Sequence, residues 1–144
     1  MKRYAAFVWF ALGSASFAAP VPKELANAPK LEGLWEVTSL ELLGKPGQIA
    51  QNQYWRIGDG QITVEQRVPN AAVRVRPPIA IAVDNAAAPK TLDYNAGGVA
   101  MRPAIYEIEG DTLKILMQLQ GRERPRAMKS DETTILYVFK RVKE

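Results

Sequence analysis

The sequence of 144 residues contains no cysteine and no histidine. Without cysteine there is no disulfide framework, no thiolate nucleophile and no lipid-attachment site of the bacterial lipoprotein kind. Without histidine the chain lacks the side chain whose ordinary pKa lies near neutrality, and the two absences together remove the usual ligands of zinc and copper. Most hydrolytic sites are thereby excluded, and we expect neither a metal nor a cofactor.

A carboxylate pair or a buried lysine could still catalyse a reaction, since glycosidases use two acids that flank a sugar bond. The candidate carboxylates lie mostly in predicted turns or at outward strand positions: Asp84, Asp93, Glu107, Asp111 and Asp131. We therefore predict that the protein is not an enzyme, and carboxylate catalysis is only a third alternative.

The N-terminus resembles an export signal. Lys2 and Arg3 supply a basic start, residues 4–12 are apolar, and small residues follow up to residue 19. This is the pattern of a secretory signal peptide, and Ser16-Phe17-Ala18 places small residues where a signal peptidase cleaves. The apolar run is shorter than the ~20 residues of a spanning helix, which argues against the alternative of a retained membrane anchor. We expect a signal peptide over residues 1–18, a periplasmic or extracellular location, and no stable membrane insertion after cleavage.

The net charge gives little indication of a polyanionic partner. The chain has 19 basic and 15 acidic residues, a formal charge of +4. Removal of Lys2 and Arg3 lowers the basic count to 17 and the charge to +2. Such a weak excess does not favour nucleic acid as a partner, and nothing in the composition points to a particular protein partner.

The remaining chain has the length of a single domain. Residues 19–30 contain three prolines among small and polar residues, which is typical of a flexible leader. From residue 31 to residue 143 there is no convincing amphipathic helix. Short runs of β-branched and aromatic residues alternate instead with Gly, Pro, Asn and Asp, a rhythm that predicts an all-β barrel or sandwich.

Two hairpins can be predicted in register. A turn at Gly110-Asp111 places three apolar pairs on one face and an opposite-charge pair on the other: Ile108 with Leu113, Tyr106 with Ile115, Ala104 with Met117, and Glu107 with Lys114. A turn at Asp59-Gly60 similarly sets Ile57 opposite Ile62 and Trp55 opposite Val64.

The other strands complete a set of eight. Residues 32–43 form a strand whose leucines fall on both faces, so a bulge is expected there. Residues 73–76 and 79–83 form one strand that Pro77-Pro78 interrupts, and further strands cover residues 91–95 and 133–142. Eight strands connected as neighbours predict an up-and-down antiparallel β-barrel, with a β-sandwich as the alternative.

A series of short motifs spans the predicted domain. They are Leu31-Glu32-Gly33-Leu34-Trp35, Gly44-Lys45-Pro46, Pro89-Lys90-Thr91-Leu92-Asp93, Ile105-Tyr106-Glu107 followed by Gly110-Asp111-Thr112-Leu113-Lys114, Arg124-Pro125, and Phe139-Lys140-Arg141. In order and spacing the chain resembles a family of small secreted lipocalin-like domains best known from planctomycetes. The resemblance implies a lipocalin-like barrel over residues 31–143, departs over the Ala-, Val- and Pro-rich residues 68–83, and transfers no catalytic residues.

Three groups of residues are candidates for a role in the barrel. Gly33, Trp35 and Arg141 are expected to close one end, with the basic side chain over the indole, although Lys140 could take the place of Arg141. The inward residues Trp55, Tyr106, Ile115 and Met117 are candidates for a ligand cavity, with ordinary core as the alternative. Arg122, Arg124 and Arg126, near Lys129, are candidates for binding a surface anion, with a solvated loop as the alternative.

The leading hypothesis is an exported lipocalin-like domain that binds a small hydrophobic or amphipathic ligand inside the barrel. It rests on the analogy of fold. The alternative is a solid-cored barrel that acts through its surface as an interaction or structural module of the cell envelope.

Overall fold

A computed structural model describes residues 30–95 and 100–144. The predicted signal peptide and nearly all of the predicted leader lie outside the described residues. No helix in the described part of the chain is long and apolar enough to cross a membrane. The described residues form ten β-strands: β1 (Gly33–Leu42), β2 (Lys45–Pro46), β3 (Gln53–Gly58), β4 (Gln61–Val68), β5 (Ala71–Arg74), β6 (Ile79–Asp84), β7 (Lys90–Asn95), β8 (Ala104–Glu109), β9 (Thr112–Gln118) and β10 (Thr134–Arg141).

The strands form a closed antiparallel barrel. Neighbours pair in the order β1, β3, β4, β6, β7, β8, β9 and β10, and β10 then pairs with β1. The short β2 adds to β1, and β5 pairs with β4. The wall therefore has eight strands with two extra segments, which confirms the predicted up-and-down barrel and excludes the sandwich.

Both predicted hairpin registers are confirmed. Tyr106 pairs with Ile115 across the β8–β9 turn, and Trp55 pairs with Val64 across the β3–β4 turn. Asp59 and Gly60 both have positive φ, 53° and 70°, as a type I′ turn requires. Because successive side chains of a strand alternate between faces, these two registers fix which side chains point inward along four strands.

The predicted irregularities also occur. The pairing of β1 with β10 shifts register between Val37 and Ser39, and this bulge allows both Val37 and Leu40 to pack on the core. The β5 and β6 segments both follow β4, since Arg74 pairs with Glu65 and Ile79 with Ile62. The two segments together occupy one strand position in the barrel wall. Their pairing with β4 is interrupted at Pro77-Pro78 because proline has no N–H to donate to the ladder.

The barrel has two distinct ends. The end that carries the Asp59-Gly60 and Gly110-Asp111 turns, together with residues 30–32, is called the lower end. The opposite end, called the upper end, carries the β1–β3 connection, the β4–β5 turn and the β9–β10 loop of residues 119–133. A continuous core runs between them and includes Trp35, Trp55, Tyr94, Tyr106, Ile115 and Phe139.

Candidate ligand-binding site at the upper end of the barrel

The lower end is closed by Trp35 and Arg141. The Trp35 ring is fully buried, and the Arg141 guanidinium carbon lies 4.1 Å from its centroid. The Trp35 indole donates to the carbonyl oxygen of Leu31 at 2.8 Å, and Arg141 donates to the carbonyl oxygens of Glu32 and Lys30. The structure thus contains the expected cation–π contact with Arg141, not Lys140, and every polar group of this closure has a partner.

Gly33 permits this closure. Its φ of +138° is one that L side chains rarely adopt. A Cβ at this position would lie 3.0 Å from Nη1 of Arg141. Any side chain here would strain the backbone and push the guanidinium away from Trp35.

The four predicted cavity residues all point inward, and the structure places them in the core. Ile115 is fully buried, Trp55 and Tyr106 are 3% exposed, and Met117 is 5% exposed. Tyr106 also borders an external concavity of about 360 Å³ beside Pro89 and Met128. Tyr106, Ile115 and Met117 therefore help to fill the interior between the two ends.

Trp55 differs from the other three because it has an unmet hydrogen bond. Its ring centroid lies 4.7 Å from that of Tyr137 and 4.8 Å from that of Phe139. Its indole Nε1 is buried among these rings and has no acceptor in the described part of the protein. An unpaired buried donor costs roughly 1–3 kcal/mol, so this atom marks a place where an external acceptor would stabilise the protein.

Above this aromatic cluster, the wall exposes apolar side chains. In register, these side chains continue the inner face of the barrel, because Leu42 pairs with the core residue Ile135 and Val73 pairs with Gln66, two positions from inward Val64. Their exposed fractions are between 43% and 48%: Leu42, Val68, Val73 and Val75. The upper end is therefore an apolar mouth that the described residues leave uncovered.

Polar groups connect the mouth with the aromatic cluster. The Tyr94 hydroxyl donates to the carbonyl oxygen of Gln118 at 2.8 Å, and Arg102 donates to that of Leu119 at 2.8 Å. Burial raises the pKa of Tyr94, and the adjacent charge and hydrogen bond of Arg102 partly oppose this. Burial likewise raises the pKa of Tyr137, against the effect of the Arg76 charge. Both guanidinium groups thus act on tyrosines of the barrel interior.

A cleft of about 640 Å³ adjoins the mouth between the β7–β8 connection and the β9–β10 loop. Its lining combines apolar side chains with two cations: Ala100, Met101, Arg102, Pro103, Leu119, Gly121 and Arg122. A surface of this kind is suited to a molecule with an apolar body and a polar group.

The contacts of Arg124 correct its predicted role in a surface anion site. Its guanidinium lies 2.6 Å from a carboxylate oxygen of Asp93 and donates to the carbonyl oxygen of Ala104 at 2.9 Å. It fastens the β9–β10 loop to the outer face of the barrel, so it is already occupied. Arg122 and Arg126 remain exposed beside a concavity of about 470 Å³ that also contains Asp131. Hydrogen bonds from Thr133 lower the pKa of Asp131, so its negative charge opposes anion binding there.

The candidate catalytic carboxylates face outward. Asp93 pairs with Arg124, and Glu107 lies 3.8 Å from Lys114, as the hairpin register predicts. Within residues 30–95 and 100–144, no group of three or more acidic side chains is arranged to hold a metal ion.

Three features of the site were absent from the sequence analysis: the unpaired Trp55 N–H, the exposed apolar mouth and the position of Arg102. The exposed valines could have been found from the unusual run of apolar residues over 68–83, which a closed barrel cannot bury completely.

No family model, curated protein or solved structure matches this chain.

Proposed function

We propose that the protein is an exported, non-catalytic lipocalin-like domain that binds one small hydrophobic or amphipathic molecule at the upper end of its barrel. The observation that carries this proposal is the apolar mouth that no described residue covers, above an aromatic cluster in which the Trp55 N–H has no acceptor. A bound molecule would bury the apolar surface of the mouth.

The exposed apolar surface supports this proposal because burial of such surface contributes roughly 25 cal/mol per Å². The four mouth residues are each almost half exposed although they lie on the inner side of their strands. The closed lower end leaves the upper end as the entrance. The filled middle limits the depth that a ligand can reach, so we expect a shallow site above Trp55 and Tyr137 rather than a channel through the barrel.

A fluorescence titration with the neutral probe N-phenyl-1-naphthylamine tests the proposal. We expect a saturable increase in emission with one probe per chain. The double variant Val73→Thr/Val75→Thr keeps the β-branched shape but removes apolar surface from the mouth, and it should weaken probe binding several-fold, since each buried methyl group contributes about 0.8 kcal/mol.

Val83→Thr is the matched control, because Val83 is equally exposed, at 44%, but lies at the lower end. It should bind the probe as the wild type does. Absence of saturable binding, or equal weakening in the control, would contradict the proposal and favour a solid barrel that acts through its surface.

A further inference from the structure

The inner face of the barrel carries no negative charge along the described strands. Seven acidic residues lie in strands, and the registers place all of them on the outer face: Glu36, Glu41, Glu65, Asp84, Asp93, Glu107 and Glu109. The cleft beside the mouth likewise has no acidic residue among its lining. The charged side chains of that lining are Arg102 and Arg122.

Arg102 supplies a positive charge at the upper end. It lines the cleft and forms an isolated β-bridge with the inward residue Tyr94, so the two side chains lie on the same face. Its guanidinium forms no ion pair with any described carboxylate, whereas Arg56 and Arg124 both do. Its hydrogen bonds to the Leu119 carbonyl and to the Tyr94 hydroxyl leave further N–H donors available.

We infer that the ligand of the upper end carries a negatively charged group, a carboxylate or one of similar chemistry, which Arg102 binds at the rim while its apolar part covers the mouth. This inference rests on the proposed function and specifies the chemical class of its ligand. Guanidinium groups bind carboxylates through paired, charge-assisted hydrogen bonds. The Tyr137 hydroxyl, which stays protonated at neutral pH, can donate a further bond.

An uncharged ligand of the same shape would fit this site less well. It would displace water from the Arg102 guanidinium without offering it an acceptor of opposite charge, and unpaired buried charges are strongly unfavourable. The difference between a charged and an uncharged ligand therefore measures the contribution of Arg102.

The test compares dodecanoate with 1-dodecanol as competitors of N-phenyl-1-naphthylamine, with dodecanoate below its critical micelle concentration and dodecanol below its solubility limit. These molecules share the same chain and differ in the terminal group. We expect dodecanoate to displace the probe at a concentration at least tenfold lower than dodecanol. Arg102→Gln should weaken dodecanoate roughly tenfold, the loss of a charged hydrogen bond, and leave dodecanol unchanged.

Because Arg102 also bonds to the Leu119 carbonyl beyond β9, the folding of Arg102→Gln is checked by circular dichroism. If that variant does not fold, the ratio of the displacing concentrations of the two competitors on the wild type decides the test. Arg74→Gln is the control, since Arg74 pairs with the outward residue Glu65 and should bind both competitors like the wild type.

The outcomes separate the two proposals. Equal displacement by both competitors, or a folded Arg102→Gln variant that binds dodecanoate like the wild type, would overturn the inference and leave the proposed function intact. Failure of the wild type to bind the probe or either competitor would overturn the proposed function and the inference together.

Discussion

The two ends of the barrel differ in how completely their side chains are buried and hydrogen-bonded. At the lower end the Trp35 N–H has an acceptor, its ring lies beneath Arg141, and the chain of residues 30–32 crosses the opening. At the upper end, four apolar side chains of the inner wall are almost half exposed, and no described residue covers them. Trp55, which pairs with Trp35 between β3 and β1, lies in the core between the two ends, and its N–H has no acceptor in the described part of the protein. The proposed binding role therefore belongs to the upper end, where apolar surface is still exposed.

The largest expected effect concerns the closed end. Trp35→Ala should lower the free energy of unfolding by about 3–5 kcal/mol, because it removes a fully buried indole and leaves a cavity. Denaturant unfolding followed by far-ultraviolet circular dichroism measures this change. An unfolding midpoint equal to that of the wild type would contradict the structural role of Trp35.

A smaller effect is expected where the β9–β10 loop is fastened. Arg124→Gln removes a hydrogen bond to the Ala104 carbonyl and a partly exposed ion pair with Asp93, and should cost about 1 kcal/mol of stability. Binding of dodecanoate should remain within twofold of the wild type. Unchanged stability together with weakened dodecanoate binding would instead indicate that Arg124 binds the anion.

The pH dependence of stability offers a further comparison of the ends. Burial raises the pKa of Tyr106, and the charges of Glu32 and Asp84 raise it further, while Arg102 opposes the increase in the pKa of Tyr94. A raised pKa favours the neutral phenol in the folded state. Its stabilisation is complete below the unfolded value near 10 and is lost as the pH rises beyond it.

We therefore expect alkaline unfolding above pH ~10, and a smaller alkaline loss of stability in Tyr106→Phe and in Tyr94→Phe than in the wild type. Urea unfolding at a series of pH values measures both variants. An alkaline loss equal to that of the wild type in both variants would contradict the raised pKa of these two tyrosines.

Local chemistry explains how much of the fold could be predicted. The Asp59-Gly60 and Gly110-Asp111 turns set two registers, because a shift of one residue would turn every apolar side chain outward. The β1 bulge was predicted because the leucines of that strand fall on both faces. The interruption at Pro77-Pro78 was predicted because proline has no backbone N–H to donate. The contact between Trp35 and Arg141 was expected from the lipocalin-like arrangement of the two ends.

The candidate site was less predictable because its properties depend on contacts between distant segments. Alternation identified Trp55 as inward, but not that its N–H would lack an acceptor. It also could not show that Arg124, from a loop of 15 residues between β9 and β10, would reach Asp93 on β7. The spacing of the arginines in that loop favoured an anion site, whereas tertiary contacts assign one of them to structure.

The most direct test of the central claim is a ¹⁵N–¹H spectrum of the indole N–H groups during titration with dodecanoate. Trp35 and Trp55 are the two tryptophans among the described residues, one bonded to Leu31 and the other unpaired. We predict a saturable shift of the Trp55 signal with one ligand per chain and an unchanged Trp35 signal. A Trp55 signal that does not move, or equal shifts of both signals, would contradict a ligand site at the upper end.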